Sequence, residues 1–293
     1  MRNILVILNA RAGTLLDRDT AEVKREVEEA LRSDGRRVEV VLAQGRQIVR
    51  EIERGASGDY DTLIVGGGDG SVSCAAGRLS GKSVVLGVLP LGTLNLLARD
   101  LNMPTDLSEA LAALATARPR AIDLATVNGR RFHSLSGLGF FSQMARAREE
   151  ARDLPSRLLR LGAAAFRAVS RTGHFTLEFE IDGRFHQMDA YAALVTCNRF
   201  GSKDWRRANL DGGALEIHIA EGEGALARLK AGADVLTGGW RDNDGIHSFT
   251  AQRVRIGSVR RRAWVATDGE LRREQMPLDF TIEPGALTVL SPN

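Results

Sequence analysis

The residues best suited to do chemistry lie in Asp61-Thr-Leu-Ile-Val-Gly-Gly-Gly-Asp-Gly-Ser-Val72, where a short apolar strand runs into five residues that are glycine or aspartate. Gly66, Gly67, Gly68 and Gly70 carry no Cβ, so the backbone can take positive φ and bring its N–H groups to a phosphate. Asp69 is repelled by a polyphosphate unless a divalent cation or a proton lies between them, so the turn asks for Mg²⁺ as well as a nucleotide. A tight strand-to-helix turn capped by Asp69 or Ser71 explains the same residues without a ligand. A second motif, Leu89-Pro-Leu-Gly-Thr-Leu-Asn-Leu-Leu-Ala-Arg99, follows the next strand. Pro90 and Gly92 force a turn, Thr93 or Asn95 caps the helix after it, and Arg99 lies one turn on, within reach of a phosphate. Taken alone, it is an ordinary capped helix. Two standard phosphate motifs fail: Gly81-Lys-Ser83 has Ala76 where a Walker A loop needs its first glycine, and Ser71 breaks a GxGxxG pattern.

The elements that must position these motifs alternate. Apolar strands are expected over 4–8, 38–42, 62–65, 84–88 and 122–127. Helices are expected from Asp19 with Val23, Val27, Ala30 and Leu31 on one face, and over 47–54, 71–79, 94–101 and 106–117. This alternation predicts a doubly wound α/β domain whose ligands bind beyond the carboxyl ends of its strands, where the glycines fall. After about residue 128 the texture changes to period-two runs broken by Asn128-Gly129, Asp182-Gly183 and Asp268-Gly269, a hairpin pattern that predicts a second, mostly antiparallel, sandwich-like β domain. We place the α/β domain at 1–124 with a C-terminal return at about 281–293, and the β-rich domain at 125–280.

At 293 residues, 43% hydrophobic and 26% charged, the chain can bury two cores without staples. Cys74 and Cys197 lack CxxC or zinc spacing, and the five histidines show no metal or triad spacing. The N-terminal apolar run is only a strand long, and no run reaches the length of a spanning helix, so a cytoplasmic location is expected. A net charge of +3 suits an anionic ligand or membrane surface better than a dedicated role with nucleic acid.

Together the motifs Gly-Gly-Asp69-Gly-Ser and Pro-Leu-Gly-Thr93-x-Asn95-x-x-Ala-Arg99 resemble the catalytic domain of diacylglycerol kinases, sphingosine kinases, ceramide kinases and small bacterial lipid kinases. Asn9-Ala-Arg11-Ala-Gly13 is similar to that family's opening loop, with Arg11 where several relatives have Lys. The resemblance implies an ATP- and Mg²⁺-dependent lipid kinase with its active site in the cleft between the two domains. It implies that Glu270 of Asp268-Gly-Glu270 is the general base toward the lipid hydroxyl, and that Asp123 joins Asp69 in holding the catalytic Mg²⁺ through waters. It implies a cleft-lining role for the glycines of Ser134–Phe141, and a structural Mg²⁺ held by the Asp211 side chain with flanking carbonyls, Ala208 and Gly213. A glycine-kinked strand, an Asp-Gly turn and a hairpin tip explain the same three stretches without ligands. Leu96 stands where relatives often have Asp. Leu42, Ala43 and Gln44 stand where they tend to have a nucleotide-contacting Thr.

The lipid would be met at a membrane. A helix from Ser156, with Leu158, Leu159, Phe166 and Val169 on one side and Arg157, Arg160, Arg167 and Arg171 around it, can lie on an anionic bilayer or pack on its own domain. Trp205-Arg-Arg207 and Arg260-Arg-Arg262 are further candidate headgroup contacts. The expectation is a peripheral kinase at the inner membrane face acting on diacylglycerol, with ceramide or a sphingoid base as the alternative. A catalytically weak nucleotide- and lipid-binding protein and a kinase of a soluble polyol or dinucleotide are the readings from other classes. The oligomeric state is left open, a homodimer included.

Overall fold

The computed structural model describes residues 1–15, 18–33, 35–150, 173, 175–181, 183–201, 206–207, 209–221 and 243–292. They form two compact units, Met1–Leu124 with Pro284–Asn293, and Ala125–Glu283. The first unit follows the order β1 (Asn3–Asn9), α1 (Thr20–Leu31), β2 (Arg37–Ala43), α2 (Arg46–Ser57), β3 (Thr62–Gly67), α3 (Asp69–Leu79), β4 (Val85–Pro90), α4 (Leu96–Asp100) and α5 (Leu107–Thr116). β5 (Arg118–Val127) then leads into the second unit. The second unit holds β6 (Arg130–Phe132), β7 (Leu135–Gly139), α6 (Phe140–Glu150), β8 (Phe175–Ile181), β9 (Arg184–Ala190), β10 (Ala192–Cys197), β11 (Leu215–Ala220), β12 (Ile246–Ala251), β13 (Arg253–Ser258), β14 (Arg262–Thr267) and β15 (Glu270–Gln275). The last strand, β16 (Leu278–Ser291), begins there and returns to the first unit at Pro284.

The first unit is an α/β domain whose sheet runs β2-β1-β3-β4-β16, with every neighbouring pair parallel. Strands buried on both faces read as unbroken apolar runs, and every residue of β3 is buried. The order reverses between β1 and β3, so the crevice beyond their carboxyl ends, next to Asn9 and Gly67, is the topological switch point of the sheet. α1 begins where Asp19 accepts the Ala21 N–H at 2.9 Å, and it buries Val23, Val27 and Leu31. Ala30, expected on that face, is exposed; it lies at the edge of the buried arc, about 60° around the helix from Val27. The Asp61 carboxylate accepts the N–H groups of Arg2 and Asn3 and the Thr62 hydroxyl, which pins the start of β1 to the start of β3.

The second unit is mostly antiparallel. One sheet runs β12-β11-β10-β7-β14-β15, and in the other the unit's part of β16 is followed by β13, β8 and β9. Phe132, Phe179, Val195, Ile217, Val265 and Phe280 come from both sheets and share one buried cluster, as the two inner faces of a sandwich do. The turn residues Asn128 and Gly129 have φ of 49° and 77°, and Asp268 and Gly269 have 46° and 84°, the paired positive φ that two-residue hairpins require. Asp182, the Ser156 helix with its arginines, and Trp205 lie outside the described residues.

Candidate functional site

The site in the first unit is built where two glycine-bearing loops touch. Gly66 and Gly67 end β3, Gly68 is extended (φ −88°, ψ 179°), and Asp69, Gly70 and Ser71 form the first turn of α3. None of Gly66, Gly67, Gly68 and Gly70 has positive φ, contrary to the expectation from the sequence; two of them, Gly66 and Gly67, are glycine for lack of room. A Cβ on Gly66 would lie 2.7 Å from Leu8 Cδ2, and one on Gly67 would lie 2.9 Å from Ser71 Oγ. Gly92 is tighter still. Its Cβ would sit 2.4 Å from Gly68 Cα, so the two loops meet backbone to backbone.

Asp69 fastens the two motifs. Its Oδ1 accepts the Leu96 N–H at 2.6 Å and its Oδ2 accepts the Asn95 N–H at 3.1 Å, so the carboxylate caps α4 from another helix. The second motif therefore differs from expectation: α4 starts at Leu96, two residues late, and neither Thr93 nor Asn95 caps it with a side chain. Asn95 instead adopts a left-handed conformation (φ 50°) and closes its own loop, with Oδ1 accepting the Gly92 N–H at 2.9 Å and Nδ2 donating to the Gly92 carbonyl at 2.8 Å. A five-residue turn with two unsatisfied N–H groups needs a borrowed acceptor, and Asp69 supplies it.

The β1 loop completes this edge. Asn9 donates from Nδ2 to Ser71 Oγ at 3.4 Å and accepts the Arg11 N–H at 3.0 Å, and the Thr14 hydroxyl donates to the Leu91 carbonyl at 2.8 Å. Asn9, Gly67, Gly68, Asp69, Ser71, Gly92 and Asn95 are thus one contiguous assembly. Arg11 and Thr93 are exposed and Arg99 is half-buried. At the start of the eleven-residue helix α3 the Ser71 and Val72 N–H groups bond the Gly68 carbonyl, and those of Asp69 and Gly70 precede the first intrahelical bond at this edge. Each Asp69 oxygen spends one lone pair on an N–H and keeps another, so a cation-bound water is chemically compatible with the carboxylate. Asp123 is 2% exposed and its Oδ1 accepts the Gly285 N–H at 2.8 Å, where φ is +60°, so it holds a bend in β16.

In the second unit Glu270 is the first residue of β15 and its carboxylate is about half exposed. Arg272 grips it from Nη2 at 2.9 Å and Nε at 3.2 Å. Residues two apart share a face of a strand, so the Glu270–Arg272 spacing itself signals this partner. Asp268, two residues earlier, is 1% exposed and accepts the N–H groups of His133, Ser134 and Leu135 at 2.9, 3.0 and 3.2 Å. It clasps the tip before Glu270 to the segment entering β7. Nothing in the sequence announces that contact across more than 130 residues. The glycines of the Ser134 stretch are close-approach positions: a Cβ on Gly137 would lie 2.6 Å from that of Phe141, and Gly139 has φ +68°. Asp211 is exposed, its N–H bonds Asn209 Oδ1 at 3.3 Å, and Gly213 has φ +68°. Ala208 lies outside the described residues, and among the described residues no group of three or more His, Cys, Asp or Glu is gathered for a metal. Nor is any described helix long and apolar enough to cross a membrane.

Comparison with known proteins extends over both units. Residues 3–127 match the diacylglycerol kinase catalytic domain, and residues 137–291 match the YegS C-terminal NAD kinase beta sandwich-like domain. A Pseudomonas aeruginosa protein named probable lipid kinase YegS-like is 30% identical over 99% of this chain and 94% of its own length. A Bacillus subtilis protein named diacylglycerol kinase is 25% identical over 92% of this chain and 90% of its own length. The crystal structure of a diacylglycerol kinase from Bacillus anthracis superposes with a TM-score of 0.72 at 18% identity, covering 99% of this chain and 97% of that one, a likeness of fold.

Proposed function

Because the chain belongs to the lipid-kinase family that includes the diacylglycerol kinases and the YegS-like proteins, and so uses ATP, we propose that it transfers the γ-phosphoryl group of ATP to a hydroxyl of diacylglycerol. The observation that carries the proposal is the Asp69 carboxylate joining the glycine-rich start of α3 to the Gly92–Asn95 loop at the switch point of a parallel sheet. The relative named diacylglycerol kinase, similar along most of the chain, supports that acceptor over ceramide or a sphingoid base.

In this reading Gly67, Gly68 and Gly70 let the nucleotide approach the backbone, and the N–H groups opening α3 face its phosphates. Asn9, Ser71, Asn95 and Asp69 fix the loops, while Arg11, Thr93 and Arg99 stand at the same edge. Bound Mg²⁺ would neutralise phosphate charge, with Asp69 as its outer carboxylate and Asp123 as the second carboxylate of the pair. Glu270 takes the proton of the acceptor hydroxyl, and Arg272 holds the carboxylate oriented for that transfer. Asp211 with Ala208 and Gly213 would hold a separate structural Mg²⁺. The protein visits the inner face of the membrane from the cytoplasm to meet its substrate.

The test is label transfer from γ-labelled ATP to diacylglycerol, ceramide, sphingosine and a soluble polyol, side by side, with and without Mg²⁺. The proposal expects Mg²⁺-dependent labelling of diacylglycerol above all others. Preferential labelling of ceramide or sphingosine would move the acceptor, and labelling of no lipid would overturn the kinase reading.

A further inference from the structure

Two large apolar side chains of the second unit stand out in water. Phe185, just after the β8–β9 turn, is 81% exposed, and Val259, in the turn between β13 and β14, is 89% exposed. Both line one open groove of about 390 Å³. β-Structure sets this position. Phe185 lies across from Glu180, which lies across from Arg255, so the phenyl ring stands on the outer face of the sheet. On the inner face its neighbour His186 stacks on buried Phe179 at 5.1 Å.

The groove carries charge of both signs. Glu178 and Glu180 line it with Arg255, which approaches Asp279 at 3.9 Å. Arg260 and Arg261 line it beside Val259, and Arg262 follows at the start of β14. None of these three arginines makes an ion pair among the described residues, and all are exposed. Three solvated arginines beside Val259 are a poor surface for a dry protein interface, whose core is depleted of charge. They suit phosphodiester headgroups, with Phe185 and Val259 reaching the acyl boundary.

We infer that the Phe185–Val259 groove with the neighbouring Arg260–Arg262 run is a docking face for an anionic phospholipid bilayer, a proposal that rests on the lipid-kinase reading above. The face is an anchor apart from the chemistry. The Val259 turn and Glu270 lie at opposite ends of β14, about 20 Å apart along a six-residue strand. Loss of docking therefore leaves the reaction on a dissolved substrate intact.

The experiment uses the full chain with vesicles of phosphatidylcholine alone or mixed with phosphatidylglycerol. It compares wild type, Phe185→Ser with Val259→Ser, and Arg260→Glu with Arg261→Glu. Co-sedimentation is expected to require phosphatidylglycerol, to fall about tenfold or more in the apolar variant, and to fall at least about fivefold per arginine in the charge variant. Melting temperature and turnover of a short-chain, monomeric diacylglycerol are expected to stay at wild-type values, while turnover of vesicle-embedded diacylglycerol falls with binding. Wild-type vesicle binding in both variants would overturn the docking face and leave the kinase reading standing. A change in sedimentation velocity with unchanged vesicle binding would assign the face to a second copy and also overturn it. If no lipid is phosphorylated by any form, the kinase reading fails, and the vesicle measurement still decides the surface.

Discussion

Gly92→Ala tests whether the two phosphate-edge loops act as one device. The added Cβ lies 2.4 Å from Gly68 Cα and 2.8 Å from Asn95 Oδ1, and ordinary contact begins at 3.4 Å. Both obstacles are held: Gly68 by the start of α3, and Asn95 by its two bonds to Gly92. The loops must part by about 1 Å, and overpacking of this kind costs about 1–3 kcal/mol. For a protein of this size each kcal/mol lowers Tm by about 2–4 °C. A shift of about 1 Å in groups that position a reacting phosphate costs about a hundredfold in rate. Thermal unfolding and initial rates of label transfer from ATP read both effects. Gly68→Ala is the control for stability, because its Cβ meets Gly92 Cα at 3.6 Å with φ at −88°. A Gly92→Ala protein with the wild-type Tm and the wild-type rate would refute the contact and the coupling drawn from it.

Asp69→Ala removes the acceptor of the Asn95 and Leu96 N–H groups and is expected to lose about 1–2 kcal/mol of stability along with activity, whereas Asp69→Asn, which keeps one acceptor, recovers stability but not activity; denaturant unfolding beside the transfer assay separates the two. Asp268→Ala takes the acceptor from three backbone N–H groups, those of His133 and Ser134 buried and that of Leu135 part-buried, and is expected to cost on the order of 3 kcal/mol, with Asp268→Asn milder, as urea unfolding reports. Burial alone would raise the Asp61 carboxyl, but hydrogen bonds from the Thr62 hydroxyl and the Arg2 and Asn3 N–H groups outweigh it, and the net shift is downward from the ordinary 3.8. A carboxyl lowered on folding adds stability above its unfolded value, and that stability disappears as pH falls through the folded one. Melting curves in the acid range are therefore expected to drop below about pH 3.8, and to drop less steeply in Asp61→Asn.

Much of the fold was legible because its signals are local. Apolar runs such as Ile4–Leu8, bounded by turn residues and too short for a buried helix, favour strands buried on both faces, and Asn128-Gly129 and Asp268-Gly269 favour tight hairpins. What stayed hidden is long-range. The glycines after Val65 suggest a loop with positive φ, but Gly66 and Gly67 are instead places where Leu8, Leu91 and Ser71 leave no room for a side chain. Asn95 was read as a helix cap, but it folds back on Gly92, and the cap comes from Asp69, 26 residues earlier. Asp268 was read as a turn former alone, because its three acceptor bonds reach residues 133–135. Short spacings disclose which residue types are present, and only tertiary packing decides which of them meet.

Single-turnover transfer of labelled phosphate to diacylglycerol by Glu270→Gln, with nucleotide binding followed in the same samples, tests the central claim most directly. The side chain is half exposed and bonded only within β15 among the described contacts, so the variant is expected to fold and bind ATP as the wild type does. Its chemical step is expected to be slower by about 100- to 10,000-fold. Transfer at the wild-type rate by a folded, ATP-bound Glu270→Gln protein would contradict the assignment of this carboxylate as the base and with it the mechanism proposed for this kinase.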